Sequence, residues 1–511
     1  MPKSRFDDAL SAWFAGDAER TLTLCDQLGD EAASSRAVLL RARALLRLRR
    51  NREAIVLLES PSFDRTGAGE AATAAMLLGT AYARSGDVQR GLAILSEAAL
   101  RADTADIGVR SEIALGIALA HYQRHDFDAA GAALDDVDAA GDIVYARALE
   151  CRGWIAKCRN DFGATVDAFE ASLAQLDRCR QFDRFLEANL VAALSYVAVE
   201  LLDFARWETL LERAGRMQWE SSGLEYYRFW VEMNRSMADE IAGRPREALQ
   251  AARNAAEYAP SSAFRLFAQC RRAAVLFSYG ELLGFEDLAA SIRTEFESID
   301  LRLLHEFEEV NLPVVVAETL ALIGDGAGAA AALHRIDTMS RAQLALLHDE
   351  PMKRAYFAFV EGLVADANND AFRAQHRYRD ALRTFTDIGM TRRAVVAALR
   401  LCQLNRDPVL LAFVEERARA LPASSWIRTE SARLGAWRND PLLAELTRAE
   451  REVLELLYEG KSTAQIAAVR ARSAQTIRNT VSKLLRTFAV DNRQALIKEC
   501  SRRGAFPSAP S

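Results

Sequence analysis

The run Gly460-Lys461-Ser462-Thr463 has residue types that can bind phosphate, because Gly-Lys-Ser/Thr closes the loop that cradles a nucleotide. Such a loop needs another glycine five positions earlier, just after a buried strand, so that backbone N–H groups converge on the anion. The residue five before Gly460 is Glu455, inside the helical run "AEREVLELLYEG". A carboxylate on a helix cannot build that cradle, so a nucleotide hydrolase is excluded. His121 and His125, four apart, could share a metal on one helix face, but no third ligand is evident. Cys151 and Cys158 read as packing residues. No Gly-x-Ser-x-Gly elbow, His-Glu-x-x-His pair or Gly-x-Gly-x-x-Gly turn occurs. No catalytic residue, cofactor or metal site is therefore expected, and the chain does not read as an enzyme.

The same residues make sense as helix punctuation. Thr447 with Glu450 forms a capping box that opens a helix burying Val453, Leu454 and Leu457. Gly460 stands where a left-handed stop belongs, and Ser462 with Gln465 opens a short second helix. Ser473 caps a third helix with Thr476 at its third position. Ile477, Val481, Leu484, Leu485 and Phe488 form its apolar stripe. Gln475, Arg478, Asn479, Ser482, Lys483 and Arg486 make up the opposite face. A last helix, "NRQALIKECSRR", carries Leu496 and Ile497 on its apolar side. A short helix, a tight turn and an amphipathic helix with Arg and Asn outward form a helix-turn-helix. Its second helix fits the major groove, where Arg pairs with guanine and Asn with adenine.

These residues resemble the LuxR-type (GerE-like) DNA-binding domain over roughly 446–504. The family's L-T-x-x-E-x-x-V-L stands as Leu446 to Leu454 and its G-x-S-x-x-x-I-A as Gly460 to Ala467. Its S-x-x-T-V stands as Ser473, Thr476 and Ile477, and the arginine opening its last helix as Arg493. The resemblance implies that Arg478, Asn479 and Ser482 face bases, that Thr476, Lys483 and Arg486 contact phosphates, and that the partner is double-stranded DNA. It also implies dimerisation through the last helix, which puts Leu496, Ile497 and Cys500 near an interface. The chain departs from the family at Arg470 and Arg472, which occupy usually apolar places, with Val469 as the apolar substitute. Thr480, Thr487 and Phe488 also differ, replacing the usual histidine, lysine and leucine.

The elements that carry this module repeat. From residue 5 to about 437 helix follows helix, with short polar turns at Asp17, Asn51, Asp87, Asp126, Asp161, Asp203, Arg244, Asp325, Asp370 and Asp407. Their separations are 34, 36, 39, 35, 42, 41, 81, 45 and 37, the long one hiding a turn near Gly284. A period in the thirties to low forties marks stacked helical hairpins. In "LLGTAYARSGDVQRGLAILSEAAL", Gly79 permits close approach, Tyr82 fills the space between helices, and Gly91, Leu95 and Ala98 line the second helix. Gly153 with Phe169, and Gly362 with Tyr378, repeat the scheme. These units resemble tetratricopeptide (TPR) repeats, which implies a solenoid with a concave groove for a peptide, protein or small-molecule effector. Inside the array, the aromatic residues from Trp207 to Trp230 read as packing, and Arg178, Arg180 and Arg184 as a solvated cluster.

The expected fold class is thus all-α: a TPR-like helical-hairpin solenoid over 1–437, a linker over 438–445, a four-helix LuxR-type module over 446–504 and a flexible tail over 505–511. The module holds twelve basic and six acidic residues, and the remainder sums to −12 within a net charge of −6. A basic module on an acidic body suits a polyanion partner. The longest apolar run, Ile113 to Ala120, is too short to cross a membrane, the N-terminus lacks a signal-peptide core, and seven scattered cysteines fit a reducing compartment. Together these features lead to a cytoplasmic DNA-binding transcriptional regulator, acting as a homodimer on DNA. The rival is a protein-interaction scaffold whose DNA module has degenerated.

Overall fold

The computed structural model describes residues 5–506 apart from 30–33, 49, 61–67, 102–106, 140–141, 180–181, 220–222, 281–284, 305–308, 342, 345–350, 406 and 471. Among these residues every regular element is helical. The chain is all-α, a TPR-like array of hairpins followed by a helix-turn-helix module. No helix of the described residues is long and apolar enough to cross a membrane.

One local device makes most of the hairpins. The residue before the turn aspartate has positive φ: Gly16 at 81°, Gly86 at 99°, His125 at 59°, Asn160 at 61°, Leu202 at 60°, Gly324 at 85° and Asn369 at 61°. The aspartate then accepts a backbone N–H from the second helix, as Asp126 does from Ala129, Asp161 from Ala164, Asp203 from Arg206 and Asp370 from Arg373. A left-handed residue reverses the chain, and the carboxylate then satisfies a helix-start donor, stabilising each second helix by about 1 kcal/mol. Arg244 lacks that capping group; its side chain bonds Asp239 instead, at 2.8 Å. The turn expected near Gly284 lies outside the described residues.

Within a hairpin, a missing side chain makes room for a large one. A Cβ on Gly153 would sit 2.4 Å from the Phe169 ring, and one on Gly362 would sit 2.6 Å from Tyr378. Gly79 and Gly91 face each other so closely that a Cβ on Gly91 would lie 2.6 Å from the Gly79 carbonyl oxygen. Phe169 and Tyr378 are fully buried as a result.

The chain divides into two compact units. The first comprises Met1–Ser236, Gln250–Arg271 and His348–Met352. Here hairpins distant in sequence meet. Arg47 ends the helix Ser35–Arg47 and makes a bidentate pair with Asp183, which caps Arg184–Leu201, at 3.1 and 2.9 Å. Arg147 reaches the same carboxylate. The Arg47 guanidinium also lies over Trp13 and Phe185, 5.1 and 4.7 Å from their ring centres. Arg47 and Asp183 lie 136 positions apart. An ion triad under an aromatic cover thus ties the first hairpins to the helix Arg184–Leu201.

The second unit comprises Met237–Leu249, Arg272–Leu347 and Lys353–Ser511. Its long-range tie joins the turn at Gly243 to Ser424, whose hydroxyl donates to the Ala242 carbonyl at 2.9 Å. The helix Trp426–Asn439 packs on Thr391–Asn405 and Pro408–Ala418, and its last turn enters the C-terminal module. Within the expected linker 438–445, Pro441–Ala444 is a helical turn whose Leu443 is fully buried in the module. The tail does not begin at 505: Ala505 and Phe506 are core residues, and Phe506 stacks on Tyr458 at 4.3 Å. Both follow from the size of the module, whose four helices leave one side of their core open for Trp437, Leu443 and Phe506 to cover.

Candidate DNA-binding module

The module begins with the capping box expected at Thr447. The Glu450 carboxylate accepts the Thr447 backbone N–H at 2.9 Å, and the Thr447 hydroxyl accepts the Glu450 N–H at 3.3 Å. Lys483 adds an ion pair to Glu450 at 2.5 Å. Burial works to raise the Glu450 carboxyl, but Lys483 and Thr447 outweigh it and hold the group below its ordinary range. The helix Arg448–Tyr458 ends at Gly460, whose φ of 77° is the expected left-handed stop. Ser462 and Gln465 exchange bonds at 2.8 and 3.3 Å and open Thr463–Val469. The Gly-Lys-Ser run is thus a helix boundary, with its backbone N–H groups committed to Leu457, Leu456 and Gln465.

Ser473 accepts the Thr476 N–H at 3.0 Å and opens the candidate recognition helix, Ala474–Thr487. Ile477, Val481, Leu484 and Phe488 are buried against Val453, Leu454, Leu457, Ile466 and Leu496, and Leu485 is half-buried. That apolar stripe orients the helix, leaving Gln475, Thr476, Arg478, Asn479, Ser482, Lys483 and Arg486 exposed. On the first turns Arg478 donates to the Gln475 side-chain oxygen at 3.0 Å, and Gln475 donates to Asn479 Oδ1 at 3.1 Å. Thr480, in the usual histidine's place, donates its hydroxyl back to the Thr476 carbonyl at 3.0 Å.

Val469 is 62% exposed and does not fill the apolar place before Ser473. Arg470 instead pairs with Glu452, which also takes Arg448 at 2.7 Å. An ion pair thus replaces the apolar contact in pinning the turn to the first helix. Arg472 is exposed beside the recognition helix. Lys483 is bound to Glu450, so it serves helix placement in this state. Arg493 reaches the Thr463 hydroxyl and ties the last helix, Arg493–Arg502, to the short one.

The expected interface residues on that last helix need correction. Leu496 and Cys500 are fully buried inside the module and cannot meet a second chain. Ile497 is half-buried, and it shares its face with Gln494, Lys498 and Ser501. In a module of four short helices the last helix supplies core, on the side that the family resemblance implies for an interface.

Residues 444–500 match the family described as bacterial regulatory proteins, luxR family. The Bacillus subtilis (strain 168) spore germination protein GerE is 39% identical over 59 residues, covering 12% of this chain and 80% of that protein. The chain belongs to the luxR family. The chain also has loose likeness to solved structures. A Rap protein complexed with competence and sporulation factor matches with a TM-score of 0.42 and 12% identity, over 68% of this chain and 99% of that one. The APC/C assembly Cut9–Hcn1 matches with a TM-score of 0.37 and 14% identity, over 86% and 88%.

Sequence patterning overlooked what joins the luxR module to the array. Arg433 bonds both Glu430 and Glu455 at 2.6 to 2.7 Å, and Trp437 donates its indole N–H to the Ala505 carbonyl at 3.2 Å. Arg503 reaches Asp440 at 2.8 Å. The only signal was a tryptophan just before a supposed linker.

The remaining sequence candidates scatter. His121 faces Asp126 at 3.4 Å and His125 packs on Phe127, and no group of three metal-binding side chains exists among the described residues. Cys151 is buried, and Cys158 lies against the Tyr122 hydroxyl. Trp207 and Phe229 are buried; Tyr226, Phe229 and Trp230 meet Phe264 edge to face and Tyr227 meets Tyr226, as packing. Arg180 lies outside the described residues and Arg178 is exposed. Arg184 lines a cavity of about 480 Å³ with Phe182, Glu187, Arg213, Arg216 and Leu224.

Proposed function

We propose that the chain is a cytoplasmic transcriptional regulator whose helix-turn-helix reads double-stranded DNA under control of the repeat array. The observation that carries this reading is the recognition helix. Its apolar stripe is buried, and Gln475, Thr476, Arg478, Asn479, Ser482 and Arg486 stand uncovered on the far side. The nearby acidic groups Glu450, Glu452 and Glu455 are all bonded to basic side chains. A helix so presented fits the major groove, with Arg478, Asn479 and Ser482 at base edges and Thr476 and Arg486 at phosphates. Lys483 can join them on releasing Glu450.

Two chains would read half-sites about one helical turn apart. The dimer contact would use the open face of the last helix, Gln494, Ile497, Lys498 and Ser501, rather than its buried side. The array would take a peptide, protein or small-molecule effector. The cavity beside Arg184 and Arg213 is large enough for a small one. The test is capture of genomic DNA fragments by the full chain across salt concentrations. Preferred fragments, bound less tightly as salt rises and lost in Arg478→Ala, support the reading. Binding that is absent or blind to sequence would favour a protein-interaction scaffold instead.

A further inference from the structure

The first turns of the recognition helix hold a side-chain network that the proposed base contacts do not account for. Gln475 is exposed, yet both ends of its carboxamide are engaged: its oxygen accepts from Arg478 at 3.0 Å, and its nitrogen donates to Asn479 Oδ1 at 3.1 Å. We propose that Gln475 is a positioning residue for sequence reading, holding Arg478 and Asn479 as one unit aimed at a guanine and an adenine in a half-site. The inference rests on the DNA-reading function proposed above.

The donor and acceptor inventory makes this arrangement specific. Arg478 spends one N–H on Gln475 and keeps others for guanine O6 and N7. Asn479 must present both amide ends to adenine, the oxygen to the N6 amino group and the NH₂ to N7. An unrestrained asparagine amide can turn either way. The bond from Gln475 fixes which end is the oxygen, while a second lone pair on that oxygen stays open. A long arginine and a free amide would otherwise be ordered at the moment of binding, which weakens discrimination. Glutamine alone among side chains of this length both accepts from arginine and donates to an amide oxygen. Glutamate would hold Arg478 but repel Asn479 Oδ1.

The experiment is selection of bound sequences from a randomised duplex pool by the full-length chain, comparing the wild type with Gln475→Ala and Gln475→Glu. Circular dichroism checks that each variant stays folded. For Gln475→Ala we expect binding to unselected DNA within about two-fold of wild type, with preference at the Arg478 and Asn479 base pairs falling together by about ten-fold. Gln475→Glu should keep the guanine preference and lose the adenine one. The inference is overturned if Gln475→Ala leaves all base preferences unchanged, or weakens every sequence equally, since a solvated surface pair would do either. A wild type that selects no sequence at all would defeat the DNA-reading proposal itself.

Discussion

At the scale of single residues, Asp183 and Cys500 show how burial decides chemistry. Burial alone would raise the Asp183 carboxyl, but the guanidinium groups of Arg47 and Arg147 overturn this and hold it far below the ordinary carboxylate range. A depressed folded-state value stabilises the fold at every pH above the unfolded value, and that stability is lost as pH falls below about 4. Asp183→Asn should therefore cost about 3 kcal/mol at pH 7, because it leaves two half-buried arginines uncompensated. The gap from wild type should narrow as pH drops from 5 to 3. Urea midpoints across that range would check it, and a constant gap would mean that Asp183 acts only as a cap. Burial pushes the Cys500 thiol up to about 12. Alkylation at pH 8, read by peptide mass spectrometry, should modify half-buried Cys158 and Cys179 first and reach Cys500 only on unfolding. Early labelling of Cys500 would mean that the last helix lifts off the module.

At the scale of elements, the helix Trp426–Asn439 belongs to two structures at once. Its body packs on the last repeat helices, and Trp437 closes the core of the luxR module. A fragment beginning at residue 446 keeps all four helices of the family match but loses Trp437 and Leu443. Removing two such side chains costs roughly 5 kcal/mol or more, comparable with the whole stability of a domain of that size. The 446–511 fragment should melt broadly, while 425–511 should unfold in one cooperative transition by circular dichroism. Equal melting of the two would show that the covering helix is incidental. The caps that start the first three module helices were legible in the sequence, because each capping side chain bonds the backbone N–H three residues on; the Asn492 cap of the last helix was not read. The cover over the core was not, because Trp437 and Ala505 are 68 positions apart.

At the scale of the whole molecule, each unit is closed by a contact between distant repeats. Gly243 has φ of 83°, and a Cβ there would sit 2.4 Å from the Ser424 carbonyl carbon. Gly243→Ala should therefore destabilise the second unit by about 2 kcal/mol or more, from left-handed strain plus the displaced backbone. Hydrogen exchange should rise together around residues 240–250 and 419–430; a rise confined to the first segment would mean that the tie to Ser424 carries no closure. Since the luxR module is built on the helix that follows Ser424, loosening this tie is also the direct way to ask whether the array controls the reader.

The sequence by itself determined the all-α class, the hairpin period, the Asp-capped turns and the polar face of the recognition helix. The caps and helix faces depend on neighbours within a few helical turns, and the period on recurrence of the same turn residues along the chain. Only the tertiary structure decided that Arg47 and Arg147 meet on Asp183, that Leu496 and Cys500 face inward, and that Trp437 and Phe506 complete the module. Those outcomes depend on small rotations between successive helices, added up along the stack. No local pattern of residues encodes that sum.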